Sequence, residues 1–324
     1  MKGLELAEKY YQTYGAKMLE EQFAQIEDQA AVGLVGYGSE CLGFDDEISR
    51  DHDYGPSFCI WLPGVIYKEY GAQMQAAYDA LPKEFMGYEA RIEEEQGKGR
   101  VGVLCLESFY EDIIGRCTVP ETDAQWLAIP EEMLATAVNG RVFADPSGQF
   151  SRIREGLKQY YPHDVWIRKI VDSMAKAAQA GQYNYARAMK RAERIAAEMA
   201  LTEFIRESMH LVYLLNKTYA PFYKWMHRGM QDLAVCSEIG DMLGLLYQIP
   251  DPASAWEGVS SGEYVYNLNT NDGRVLIIEA VCNILVQELN AQGLSDLQDN
   301  FLQNHIQTVL GHIQSHKTKN EVLA

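Results

Sequence analysis

The stretch from Gly33 to Trp61 constrains this chain more than any other. It opens with an apolar run, Gly33-Leu-Val-Gly36, of the length and composition of a short buried strand. A tight turn with Gly38 and Ser39 follows, and Gly43 lies four residues beyond. Then Asp51-His52-Asp53 leads into a second apolar run, Phe58-Cys-Ile-Trp61. On an extended chain the period of two puts Asp51 and Asp53 on one face and His52 on the other.

Two carboxylates on one face repel, and burial raises the cost of ionising both. A divalent cation removes that conflict, and hard oxygen donors suit Mg²⁺, which keeps part of its shell for water and phosphate oxygens. The turn just upstream offers backbone N–H groups and the Ser39 hydroxyl for such phosphates, and Gly38 has no side chain to block their approach. Twelve residues separate Ser39 from Asp51, a span that fits a short helix or loop between neighbouring strands. Taken singly, a Gly-Ser turn or an Asp-x-Asp is a common solvated loop. Asp45, Asp46 and Glu47 read as further loop acids, in a chain that carries 46 acidic residues.

In this order, Gly38-Ser39, Gly43 and Asp51-x-Asp53 resemble the signature of the polymerase-beta-like nucleotidyltransferase superfamily, which includes the aminoglycoside nucleotidyltransferases. Two positions depart from it: Arg50 stands where Ser or Thr is usual, and His52 where an aliphatic residue is usual. The longer phrase from Gly43 to Pro56, with Gly140-Arg-Val-Phe-Ala-Asp145 and Tyr219-Ala-Pro-Phe-Tyr-Lys-Trp225, looks like a bacterial branch of that superfamily catalogued as a domain of unknown function. The resemblance implies a nucleotidyltransferase fold, two Mg²⁺ ions, and ATP or another NTP as substrate. It also implies a third carboxylate from a neighbouring strand.

Composition sets the outer bounds. At 324 residues the chain is long enough for two domains, and 47% hydrophobic with 23% charged residues is ordinary for a globular protein. A net charge of −18 argues against nucleic acid and anionic membrane as partners, because both are bound through clustered Lys and Arg. No apolar run approaches the length of a membrane span. The six cysteines show no Cys-x-x-Cys pair, and the charged N-terminal residues do not resemble a signal peptide. A cytoplasmic protein with reduced thiols is expected.

Residues 3–28 carry the spacing of an amphipathic helix leading into a strand at 33–36. A second strand is expected at 58–62 and a helix over 65–81. Gly87–Ile92 is a weak strand candidate, and Arg100–Leu106 a strong one that ends at Glu107. Glu107 is therefore the first choice for the third carboxylate and Glu89 the second; the competing reading of Glu107 is a helix cap. Residues 126–138 read as a helix and 140–145 as a short strand, with Asp145 in a turn.

Beyond Phe150 the strand signals stop, and helical periodicity covers 164–180, 182–218, 222–248, 271–292 and 294–315, with breaks marked by Gly181 and Pro221. Lys224 falls in the first turn after Pro221, where it either meets a phosphate or lays its stem over Trp225 or Tyr223. Arg206-Glu-Ser-Met-His210 is one residue too short for the Arg-spaced-His motif of helical ribonuclease-type domains, so His210 reads as a core histidine.

The expectation is an α+β protein: a nucleotidyltransferase domain with a mixed sheet over 1–150 and an all-helical domain over 151–324. The activity implied by the resemblance is transfer of AMP from Mg-ATP to a hydroxyl of a small-molecule acceptor. Asp51, Asp53 and Glu107 would hold metal and act in catalysis, and Gly38, Ser39, Arg50 and Lys224 would bind the nucleotide. The rival is a non-catalytic nucleotide-binding or antitoxin-like regulator on the same fold.

Overall fold

The chain is described by a computed structural model that covers residues 1–50, 54–89, 91, 99–250, 252–258 and 268–314, with Arg50 described in its backbone only. It is a mixed α+β structure in which every strand among the described residues lies between Ala31 and Ala144. The chain divides into two compact units, Met1–Tyr160 and Tyr161–Ala324.

In the first unit, α1 (Gly3–Tyr10) runs through a π-helical turn (Tyr11–Gly15) into α2 (Ala16–Gln22). The single helix expected to reach residue 28 therefore stops at Gln22, and β1 (Ala31–Leu34) begins two residues before its expected start. Next come β2 (Cys59–Leu62), α3 (Gly64–Asp79), β3 (Gly102–Cys105), α4 (Leu106–Ile114), α5 (Asp123–Leu127), α6 (Glu131–Val138), β4 (Arg141–Ala144) and α7 (Gln149–Lys158). The four strands form one sheet in the order β3-β2-β1-β4, with β2 and β3 parallel and the other pairs antiparallel. In place of a strand at Gly87–Ile92, the described part of that stretch shows only an isolated Phe85–Tyr88 bridge.

Both faces of this sheet are covered, which explains why β1 and β2 read as continuous apolar runs rather than as alternation. On one face Val32, Ile60, Leu62 and Val103 pack with Tyr10, Leu19 and Phe23 of the N-terminal helices and with Met74 and Tyr78 of α3. On the other face the fully buried Trp61 stacks on Phe150 of α7 at 4.1 Å between ring centroids, and meets Phe109 of α4 edge-on at 5.3 Å. Large side chains buried to this degree contribute roughly 1.5–3 kcal/mol each. They hold β2 against α4 and α7.

The regular secondary structure among the described residues of the second unit is all helical, chiefly α8 (His163–Ala177), a π-helical segment (Ala178–Tyr185), α9 (Ala186–Lys190), α10 (Arg194–Leu215), α11 (Tyr223–Gly229), α12 (Ile239–Leu246), α13 (Gly273–Ala291) and α14 (Leu302–Leu310). Gly181 does not break the chain as expected. It lies inside the π-helical segment, where a Cβ would collide with the Phe204 ring, so the glycine serves close packing. The break comes at Ala192, which adopts φ +57° between α9 and α10.

His210 sits on α10 with its ring pushed down to about 4, first by burial and then by the cationic Arg206, Lys169 and Lys176. Below about pH 6.5 the unfolded chain takes up a proton that the folded chain refuses until about pH 4, so folding stability falls as pH drops through that window. Above it His210 has no effect. His210→Gln should remove this slope, worth up to about 1.4 kcal/mol per pH unit, in urea denaturation of the two proteins between those pH values. Identical pH profiles would show that His210 is exposed to solvent protons.

Candidate functional site

The Gly36–Gly38 turn leaves the sheet from the end of β1. Gly36 and Gly38 adopt φ +122° and +124°, a region that a residue with a Cβ enters only under strain, so the turn is written for glycine at both positions. Asn139 holds it from just before β4, the strand that pairs with β1. The Gly36 N–H donates to Asn139 Oδ1 at 2.9 Å and Asn139 Nδ2 donates to the Gly36 carbonyl at 2.7 Å. Ser39 then opens a 3₁₀ turn (Glu40–Leu42), and its carbonyl accepts the N–H groups of Leu42 and Phe44.

Within the described residues, no acceptor takes the N–H of Gly38 or of Ser39, and no partner takes Ser39 Oγ. Both residues are half-buried rather than flooded by solvent. Two adjacent donors and a hydroxyl are thus held by a braced turn with their hydrogen bonds unspent.

Beneath the turn lies an ion pair that sequence reasoning missed. Arg91 Nη1 meets Glu40 Oε1 at 3.2 Å, with the two side chains only 6% and 7% exposed. Burial raises the Glu40 carboxyl above the usual carboxylate range, and Arg91 opposes that shift. A Cβ on Gly38 would stand 2.5 Å from the Glu40 carboxylate, so the pair sits directly against the turn. Asp45, expected as a loop acid, is instead buried at 2% exposure and accepts the Gly3 N–H at 2.9 Å, with Lys2 alongside. Asp46 and Glu47 are exposed loop residues as expected, and Asp46 Oδ1 accepts the N–H groups of Ile48 and Ser49.

The remaining predicted site residues fall in three places. Asp51 and Asp53, with His52, lie outside the described residues, as does the Arg50 side chain. The chain resumes at Tyr54 and enters β2 at Cys59, which pairs with Gly33, so it rejoins the sheet at the end where β1 leaves towards Gly38. Glu107 stands at the opposite end. It stands two residues past the end of β3, which runs parallel to β2, and the strands put about 10 Å between their own two ends.

There the Glu107 carboxylate accepts the Gly64 N–H at 2.8 Å, capping the start of α3 while it also occupies the first turn of α4. The Glu107 carboxylate is thus engaged at the α3 terminus, while its neighbour Ser108 lines a cleft with Gly36 and Tyr37. Glu89, the second choice, is exposed. No group of three His, Cys, Asp or Glu side chains able to hold a metal occurs among the described residues. Glu107→Ala should cost about 1 kcal/mol in urea denaturation, through the orphaned α3 terminus. Any Mg²⁺-dependent ATP affinity should change by less than about twofold. A larger loss of affinity would return Glu107 to the metal site.

In the second unit, Lys224 falls in the first turn of α11 as expected, and its ammonium lies over the Trp225 ring at 5.3 Å. That is the stacked arrangement, with the head group exposed. Asp145 forms the expected turn: its Oδ2 accepts the Ser151 N–H at 2.7 Å at the start of α7. All six cysteines are free thiols.

Residues 126–226 match the family described as "Domain of unknown function (DUF4037)". The matched stretch contains both later phrases singled out in the sequence, 140–145 and 219–225, and Asn139, which braces the turn. Gly38, Ser39, Asp51 and Asp53 lie outside it. No curated protein and no solved structure matches the chain. No helix among the described residues is long and apolar enough to cross a membrane.

Proposed function

We propose that the chain is a metal-dependent nucleotidyltransferase that moves AMP from Mg-ATP to a hydroxyl group of a small-molecule acceptor. The observation that carries this reading is the pair of unspent N–H donors at Gly38 and Ser39, on a turn braced by Asn139 at the sheet end where the chain re-enters β2. Such donors suit phosphate oxygens. Asp51 and Asp53 offer the hard oxygen donors that Mg²⁺ takes, and they stand beside this turn in sequence.

In the reaction the acceptor oxygen attacks the α-phosphorus of ATP. A new P–O bond forms, the bond from the α-phosphorus to the oxygen bridging to the β-phosphate breaks, pyrophosphate leaves with its electron pair, and the hydroxyl proton passes to solvent water. Gly38 and Ser39 would hold the phosphates in line through N–H and hydroxyl donors, with Arg91 balancing the Glu40 carboxylate that lies against Gly38. Asp51 and Asp53 would hold the metal, which supplies activation of the hydroxyl and neutralisation of the departing charge.

Calorimetry with Mg-ATP, with and without EDTA, tests the site. Binding should be clear with Mg²⁺ and weak without it, because two carboxylates repel a triphosphate unless metal intervenes. Equal affinity in both conditions would remove the two-carboxylate site. Pyrophosphate release on mixing with Mg-ATP and a metabolite pool tests the chemistry. Binding without release would favour a nucleotide-binding regulator, a reading helped by the engagement of the Glu107 carboxylate at the α3 terminus.

A further inference from the structure

A cleft of about 490 Å³ opens directly beside the turn, within the first unit. Its size falls in the range of small-ligand sites. Gly36 and Tyr37 form one wall, Tyr67 of α3 another, and Ser108, Phe109 and Asp112 of α4 a third, with Arg100 at the entry to β3. Both tyrosines are partly exposed, Tyr37 at 43% and Tyr67 at 36%. Phe109 is rigid by comparison, braced from behind by Trp61. The Arg100 guanidinium lies over the Tyr37 ring at 5.4 Å from its centroid.

Three features select the occupant. Flat aromatic walls favour a planar ring. The cationic Arg100 opposes a positively charged ligand, and Asp112 opposes a phosphate. A neutral ring with donor and acceptor edges satisfies all three, because Arg100 donates and Asp112 and Ser108 accept. Connectivity adds the rest. Gly36 and Tyr37 line the cleft while the next two residues, Gly38 and Ser39, carry the unspent donors, and neighbouring residues along the backbone lie about 3.8 Å apart. One ribonucleotide spans that step.

We infer that this cleft seats the nucleobase of the nucleotide whose phosphates lie on Gly38 and Ser39, an inference that rests on the function proposed above. Tyr37 and Tyr67 stack the ring, and Arg100, Ser108 and Asp112 meet its polar edge. The cleft is therefore what distinguishes a nucleoside triphosphate from bare polyphosphate.

The test uses the full chain in excess Mg²⁺ and compares Mg-ATP with Mg-tripolyphosphate by calorimetry. Wild type should bind ATP at least about tenfold more tightly than tripolyphosphate. Ser108→Trp, which fills the cleft from an exposed position, and Tyr67→Ala, which removes a wall, should each weaken ATP by about tenfold and leave tripolyphosphate unchanged. Two variants at exposed or partly exposed positions guard against one failing to fold. If both variants bind ATP as wild type does, or lose ATP and tripolyphosphate equally, the base lies elsewhere; loss of binding in Gly38→Ala would then still support the turn as the phosphate site. If wild type binds tripolyphosphate as tightly as ATP, the base assignment fails alone. If it binds neither, both readings fall.

Discussion

The double variant Asp51→Asn/Asp53→Asn is expected to keep its metal-free stability and to lose most of the stabilisation that Mg-ATP gives the wild type. Asn nearly preserves the shape of Asp while removing two negative charges that repel each other without metal. Unliganded stability should therefore stay level or rise, by up to about 1–2 kcal/mol if burial sharpens the repulsion. Ligand that binds only the folded state stabilises it by mass action, on the order of 2.7 kcal/mol at a hundredfold excess over the dissociation constant. Loss of the metal ligands should erase most of that gain, and nucleotide transfer should fall by orders of magnitude, since hydroxyl activation and charge neutralisation disappear together. Thermal denaturation of both proteins with and without Mg-ATP reads the first effect, and pyrophosphate release the second. A variant that keeps the full ligand-dependent shift binds nucleotide elsewhere. A variant that fails to fold without ligand makes the aspartates structural.

What the residues alone disclosed follows from the range of the forces involved. Continuous apolar runs at 33–36, 58–62 and 100–106 announced buried strands because a sheet covered on both faces has no polar face to show, and β1, β2 and β3 lie within two residues of those runs. Helical periodicity similarly announced α3, α6 and α13. The turn at Gly38-Ser39 was legible because its geometry is local and written in glycine. Its supports were not. Asn139 is 103 residues from Gly36, and Arg91 is 51 from Glu40, and neither side chain advertises its partner through spacing. Asn139-Gly140 reads as an ordinary turn. Asp45 looked like its solvated neighbours because only the docking of Gly3 makes it buried. The Glu107 contact was hidden for another reason: the strand is where the apolar run puts it, but the parallel β2–β3 pair sets the end of β3 beside the start of α3, where Gly64 claims the carboxylate. Strand direction comes from the whole topology. The open faces of Tyr37 and Tyr67 carry no signal of their own either, in a chain with 20 tyrosines, until the cleft puts them together.

The buried Glu40–Arg91 pair yields the largest stability effect expected outside the apolar core. Arg91→Leu would leave the Glu40 carboxylate buried without its cation, directly against Gly38. Breaking a buried ion pair from one side costs about 3–5 kcal/mol when the remaining charge cannot reach water. The carboxyl already sits above its usual range because of burial, so removing Arg91 should drive it further up. The variant should accordingly regain stability as pH falls and Glu40 takes up a proton, since the folded state then binds more protons than the unfolded one. Glu40→Gln in the same background removes the charge and should restore most of the loss at neutral pH. Additive losses in the double variant would mean that the two residues act independently and that the pair contributes nothing through its contact. The turn supplies a second readout. If the pair braces Gly38 and Ser39, Arg91→Leu should weaken Mg-ATP binding well beyond any global unfolding, and the double variant should recover it. Recovery of stability without recovery of binding would instead identify Arg91 as a nucleotide ligand whose charge the phosphates require.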